Sequence, residues 1–95
     1  MSVKVKIPTQ LRSLTGGASE VAAEGSDVKG VISHLEQNHP GFKERILDDS
    51  GDLRRFVNLY VNDEDVRFLD GLSTPIPDGA LLSIIPAVAG GARGR

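Results

Sequence analysis

The chain opens on VKVKI, in which Val3, Val5 and Ile7 alternate with Lys4 and Lys6. That period of two predicts a strand with one buried face. Pro8 ends it, and the polar stretch to Gly16–Gly17 reads as a loop pinned by Leu11 and Leu14. Residues 19–23 predict a second strand, which makes a hairpin with the first. After Ser26 and Asp27, both favourable N-cap residues, the period changes. Val28, Val31, Ile32 and Leu35 fall at i, i+3, i+4 and i+7, predicting a helix that Pro40–Gly41 stops. A short helical turn is expected over 42–47, before the polar loop DDSGD. RFVNLYVN then reads as a strand, NDED as a tight turn, VRF as a returning strand, DGLSTPIPDG as an irregular loop and ALLSIIPAV as the last strand.

The order is therefore strand, strand, helix, strand, short strand, loop, strand. One helix across a small mixed sheet, with the last strand beside the first, is the α+β arrangement called β-grasp or ubiquitin-like. Val57, Leu59, Val61, Leu82 and Ile84 share the face under the helix. Phe56, Tyr60, Leu81 and Ile85 fall on the other, which no second helix covers. Two readings of those four are open: a partner-docking surface, or side chains covered by loops.

Ninety-five residues, 25% charged and 39% hydrophobic, suit one small soluble domain with little room for a deep catalytic cleft. Cysteine is absent, which removes disulfides, thiolate metal sites and cysteine nucleophiles. The amino end lacks the apolar core of a signal peptide, and no run approaches the roughly 20 apolar residues of a membrane span. A cytoplasmic protein without membrane contact is expected. The net charge of −2, without basic runs, argues against nucleic acid and suits a partner with a basic docking face.

Little chemistry resides in the side chains. His34 and His39 are five residues apart, off the i, i+4 spacing of a shared metal site, and are expected to be exposed. Asp48-Asp49-Ser50-Gly51-Asp52 lacks the glycine and closing glutamate of a calcium loop. No paired carboxylates, Ser–His pair or phosphate-binding glycine loop has the right spacing. The expectation is a protein that is not an enzyme, with no catalytic residue, metal or bound cofactor.

The end of the chain, IIPAVAGGARGR, is more informative. Pro86 is expected to break the strand pairing. Of Ala87-Val88-Ala89-Gly90-Gly91 only Val88 is larger than alanine, so the segment can thread a narrow channel. Ordering about six such residues costs on the order of 6–12 kcal/mol, which favours a tail captured transiently and then released. Three parts follow: a folded domain over 1–86, a diglycine tail over 87–91, and an extension over 92–95.

VNDEDVRF and IIPAVAGG, with IP after the first strand, resemble the ubiquitin-like sulfur-carrier proteins of the MoaD and ThiS type. The resemblance covers nearly the whole chain. It implies that Val88, Ala89, Gly90 and Gly91 enter partner enzymes. It also implies that the Gly91 carboxylate is adenylated by an E1-like enzyme using ATP and converted to a thiocarboxylate. The sulfur acceptor it points to is a synthase, a PLP-dependent cysteine synthase of the O-phosphoserine type being favoured. Such carriers finish at the diglycine, whereas Ala92-Arg93-Gly94-Arg95 follows here. While those residues remain, the Gly91 carbonyl is an amide, so the resemblance implies hydrolysis of the Gly91–Ala92 bond, for which a JAMM-type zinc metallopeptidase is a candidate. Two rivals stand beside it: a ubiquitin-like modifier joined to lysines through Gly91, and an interaction module whose diglycine is never activated.

Overall fold

The computed structural model describes residues 2–86. Five strands form one sheet: β1 Ser2–Lys6, β2 Glu20–Glu24, β3 Val57–Val61, β4 Glu64–Asp65 and β5 Leu81–Pro86. Their spatial order is β2-β1-β5-β3-β4. The central pair β1 and β5 is parallel, with Lys4, Val5 and Lys6 opposite Leu81, Leu82 and Ser83. The other neighbours are antiparallel. A parallel pair needs a long connection. It is supplied here by the helix α1 Val28–Asn38, the short α2 Phe42–Ile46 and the β3–β4 hairpin. This is the β-grasp architecture that the order of elements predicts.

The core lies between α1 and one face of the sheet. The stripe Val28, Val31, Ile32 and Leu35 is buried, together with Val3, Val5, Leu59, Leu82 and Ile84. The alternation VKVKI appears directly as exposed lysines between buried valines. Asp27 caps α1, its carboxylate accepting the Gly30 N–H at 2.7 Å. Gly25 permits the strand-to-helix turn to pack closely: a Cβ there would stand 2.7 Å from the Val31 amide nitrogen.

The loop before β5 is tied to this corner. The Val28 N–H donates to the Thr74 carbonyl at 3.1 Å and the Ile76 N–H to the Ser26 carbonyl at 2.9 Å. Ser2 anchors its other end, donating its N–H to the Asp78 carboxylate at 2.8 Å.

Several elements differ from the pattern-based expectation. Residues 66–68 are not a returning strand; β4 stops at Asp65, and Val66–Phe68 is a 3-10 turn. The cause is local: the Asp65 carboxylate accepts the Arg67 N–H at 2.8 Å, and Val66 is fully buried, which pulls the chain out of the ladder. The stretch Thr9–Thr15, expected as a loop, is a 3-10 run with Leu11 buried and Leu14 half-buried, so the expected pinning is present. Gly71–Ser73 adds a third such turn within the irregular loop. The second strand begins and ends one residue later than expected. Pro86 does not break the pairing; it is the last residue of β5, opposite Val57. Of the expected last strand, Ala87 and Val88 lie outside the described residues.

Candidate functional site

Two residues join β3 to β4. Asn62 and Asp63 both take positive φ, 49° and 79°, the geometry of a tight hairpin turn. The Asn62 side chain and backbone then clasp the start of β5, accepting the Leu81 N–H at Oδ1 and donating its own N–H to the Leu81 carbonyl, each at 3.0 Å. This fixes the register of the outer β3–β5 pair. Leu59 opposes Ile84 on the buried face, and Tyr60 opposes Ser83 on the open one.

On that open face Leu81 and Ile85 are the diagonal neighbours of Tyr60, near enough for side-chain contact. Tyr60 and Leu81 are half-buried and Ile85 is 47% exposed. No helix covers this face among the described residues. Phe56 is not within β3 but in the turn before it, 64% exposed, so the structure brings three of the four expected residues together on the strands and sets the fourth at their border. Lys4 and Lys6 lie directly beside Leu81 and Ser83 on β1. The apolar centre is thus bordered by cations, and the expectation of a basic partner surface, drawn from net charge alone, is corrected locally. One exposed aromatic was not anticipated. Phe68 is 87% exposed, because the 3-10 turn rotates it out of the strand alternation assumed for VRF. The Asp two residues before Arg67 is the sequence signal that identifies such a turn.

The histidines are not exposed as expected. His34 is half-buried and its Nδ1 accepts the Glu24 N–H at 3.2 Å, tying α1 to β2. His39 is half-buried with its ring edge-on to Phe42, centroids 6.2 Å apart. The acidic loop is held by its own backbone: Asp48 Oδ1 accepts the N–H groups of Ser50 and Asp52 at 2.9 and 3.0 Å.

β5 ends at Pro86, the last described residue. The β1–β5 ladder stops at Lys6 and Ser83, and neither Pro8 nor Pro86 has an N–H with which to extend it. A groove of about 360 Å³ opens there, between the Pro8–Arg12 corner and Ile84–Pro86. Val88, Ala89, Gly90, Gly91 and Ala92, the expected threading and processing residues, lie outside the described residues.

One family model, the ThiS family, matches residues 5–91 of this chain. The chain belongs to the ThiS family. Its curated relatives include the sulfur carrier protein CysO of Mycobacterium tuberculosis, 57% identical over 93 residues, 96% of this chain and all of that one. The small archaeal modifier protein 3 of Haloferax volcanii is 35% identical over 68 residues, 72% of this chain and 73% of that one. Among solved structures, one from the Amycolatopsis orientalis BexX/CysO complex superposes with a TM-score of 0.88 at 50% identity, covering 94% of this chain and 99% of that chain. The ThiS match stops at Gly91, four residues before Arg95.

Proposed function

We propose that this ThiS-family chain is a sulfur carrier whose working group is the carboxylate of Gly91, made available by hydrolysis of the Gly91–Ala92 peptide bond. The observation that carries this reading is the end of the family match at Gly91, together with 57% identity across the whole of a protein named as a sulfur carrier. The domain organisation follows: a folded unit over 1–86, a working tail over 87–91 and a removable extension over 92–95.

The chemistry balances without any side-chain nucleophile. An E1-like partner joins the carboxylate to the α-phosphate of ATP and releases pyrophosphate. A sulfide equivalent then displaces AMP, leaving a thiocarboxylate. With no cysteine in the chain, the backbone terminus is the place for the sulfur. Five extended residues beyond Pro86 reach at most about 17 Å, long enough to enter a partner's active site while the open face with Tyr60, Leu81 and Ile85 rests on that partner. Phe56 borders the same contact. The acceptor is a biosynthetic synthase, with a PLP-dependent cysteine synthase favoured, and a JAMM-type metallopeptidase is the candidate for removing 92–95. The chain is then a cosubstrate and not a catalyst.

Similarity to an archaeal modifier protein favours a second reading, in which the same acyl adenylate ends as an isopeptide on a lysine of another protein. The experiment is ATP–pyrophosphate exchange by the cognate activating enzyme, with the chain ending at Gly91 and with the chain ending at Arg95. Exchange with the first alone is expected. Equal exchange with both, or none with either, overturns the reading. Sulfide-dependent thiocarboxylate without lysine conjugates separates the carrier from the modifier.

A further inference from the structure

The groove at the end of the β1–β5 ladder lies where the remainder of the chain begins. Both parallel strands run toward it. β1 turns away at Pro8 into the 3-10 run Thr9–Thr15, while Ile84, Ile85 and Pro86 of β5 form the opposite wall. At about 360 Å³ the space falls within the size range of binding clefts. Residues 87–95 continue from Pro86, so they start at its rim.

Its ionisable lining is of one sign. Lys6 and Arg12 line the groove, and among the described residues no acid does. Residues 2–19 hold Lys4, Lys6 and Arg12 and no aspartate or glutamate. Two carboxylates belong to neighbouring segments. Glu20 stands opposite Lys6 across the β1–β2 pair and competes for that ammonium. Asp78 precedes β5, at the end away from the groove, with its carboxylate taken by the Ser2 N–H. On the other side β3 sets the uncharged Asn58 and Val57 opposite Ile85 and Pro86. Arg12 is therefore the cation left to the groove. It is half-buried, and its Nε donates to the Ile7 carbonyl at 3.1 Å. That bond fixes the guanidinium at the wall and leaves its two terminal nitrogens for a carboxylate, which arginine binds through paired hydrogen bonds.

The tail changes sign when it is processed. Residues 87–91 have no ionisable side chain, and only Val88 is larger than alanine. In the chain ending at Arg95, Arg93 and Arg95 bring charge of the groove's own sign. In a chain ending at Gly91 the segment finishes instead in a carboxylate, within about 17 Å of Pro86. We propose that this shorter tail docks back into the groove, its small side chains against the wall and the Gly91 carboxylate on Arg12, and that the chain ending at Arg95 does not. Gly90 and Gly91 permit the turn back. Only the two ends of the segment are fixed, so the cost is that of closing a five-residue loop, smaller than that of ordering each residue along an enzyme channel. A partner enzyme can therefore still draw the tail out. The docked form is a resting state that holds the working group of the proposed carrier against its own fold.

Amide NMR spectra of three chains test this: one ending at Gly91, one ending at Gly91 as a carboxamide, and the full chain ending at Arg95. The first alone is expected to show displaced signals at residues 7–12, which are far from the tail in sequence. The displacement should shrink roughly twofold between about 50 and about 500 mM salt. With Arg12→Gln, carboxylate and carboxamide forms of the variant should coincide at those residues; with Lys4→Gln, outside the groove, they should still differ. Coincidence of the two forms in the unsubstituted chain overturns the proposal, as does a full chain that matches the Gly91 carboxylate. Displacements lost on dilution also overturn it, since they would put the tail of one copy on another. The proposal rests on the reading that Gly91 becomes the chain's end, but the prepared Gly91 form tests docking without an activating enzyme. Pyrophosphate exchange without displaced groove signals would sink the docking alone, and displaced signals without exchange the carrier reading alone.

Discussion

Ile84 and Ile85 are neighbours in β5 and chemically identical, yet one is 3% exposed and the other 47%. The difference is that between the two faces of the sheet. Under α1 the strands present Val3, Val5, Leu59, Leu82 and Ile84 to a closed core. On the far side Tyr60, Leu81 and Ile85 face outward beside the lysines of β1. Folding energy is concentrated on the first face, whereas the second leaves Ile85 largely exposed. A small fold can separate these tasks because strand side chains alternate strictly.

Substitutions can break or sharpen this contrast. The largest effect is expected from Ile84→Ala, which removes a buried side chain and leaves a cavity. A loss of about 2–5 kcal/mol in chemical denaturation is expected. Gly25→Ala comes next. Its methyl group would meet backbone atoms at 2.7 and 2.9 Å, so α1 must shift, and a loss of about 1–3 kcal/mol is expected. Asp27→Ala removes the cap bond to the Gly30 N–H and should cost about 1 kcal/mol, with amide exchange of the first turn of α1 rising in step. Smallest is Ile85→Ser, expected to change stability by less than about 1 kcal/mol and, on the proposed function, to raise the KM of an activating enzyme for the chain. If Ile85→Ser proved as destabilising as Ile84→Ala, the two faces would not be divided as described.

Much of this architecture was legible in the chain, and for identifiable reasons. VKVKI announces its buried face by alternation, and the stripe from Val28 to Leu35 announces a helix because both periods are set by local geometry. The outward placement of Tyr60, Leu81 and Ile85 followed from the same alternation. What escaped depended on side-chain hydrogen bonds. VRF has the composition of a strand, but Asp65 caps it into a 3-10 turn and Phe68 emerges into solvent. His34 looked like a surface residue because its partner, the Glu24 amide, belongs to another element ten residues earlier. Net charge misled for a similar reason: a sum over the chain does not show that Lys4 and Lys6 border the open face.

The central claim is that this fold presents Gly91 as a sulfur-bearing terminus, and the intact mass of the chain isolated from its own cells under non-reducing conditions tests it most directly. The account predicts a species ending at Gly91, with a fraction heavier by one oxygen-to-sulfur exchange. A chain that still ends at Arg95 when its partner enzymes are present would contradict it.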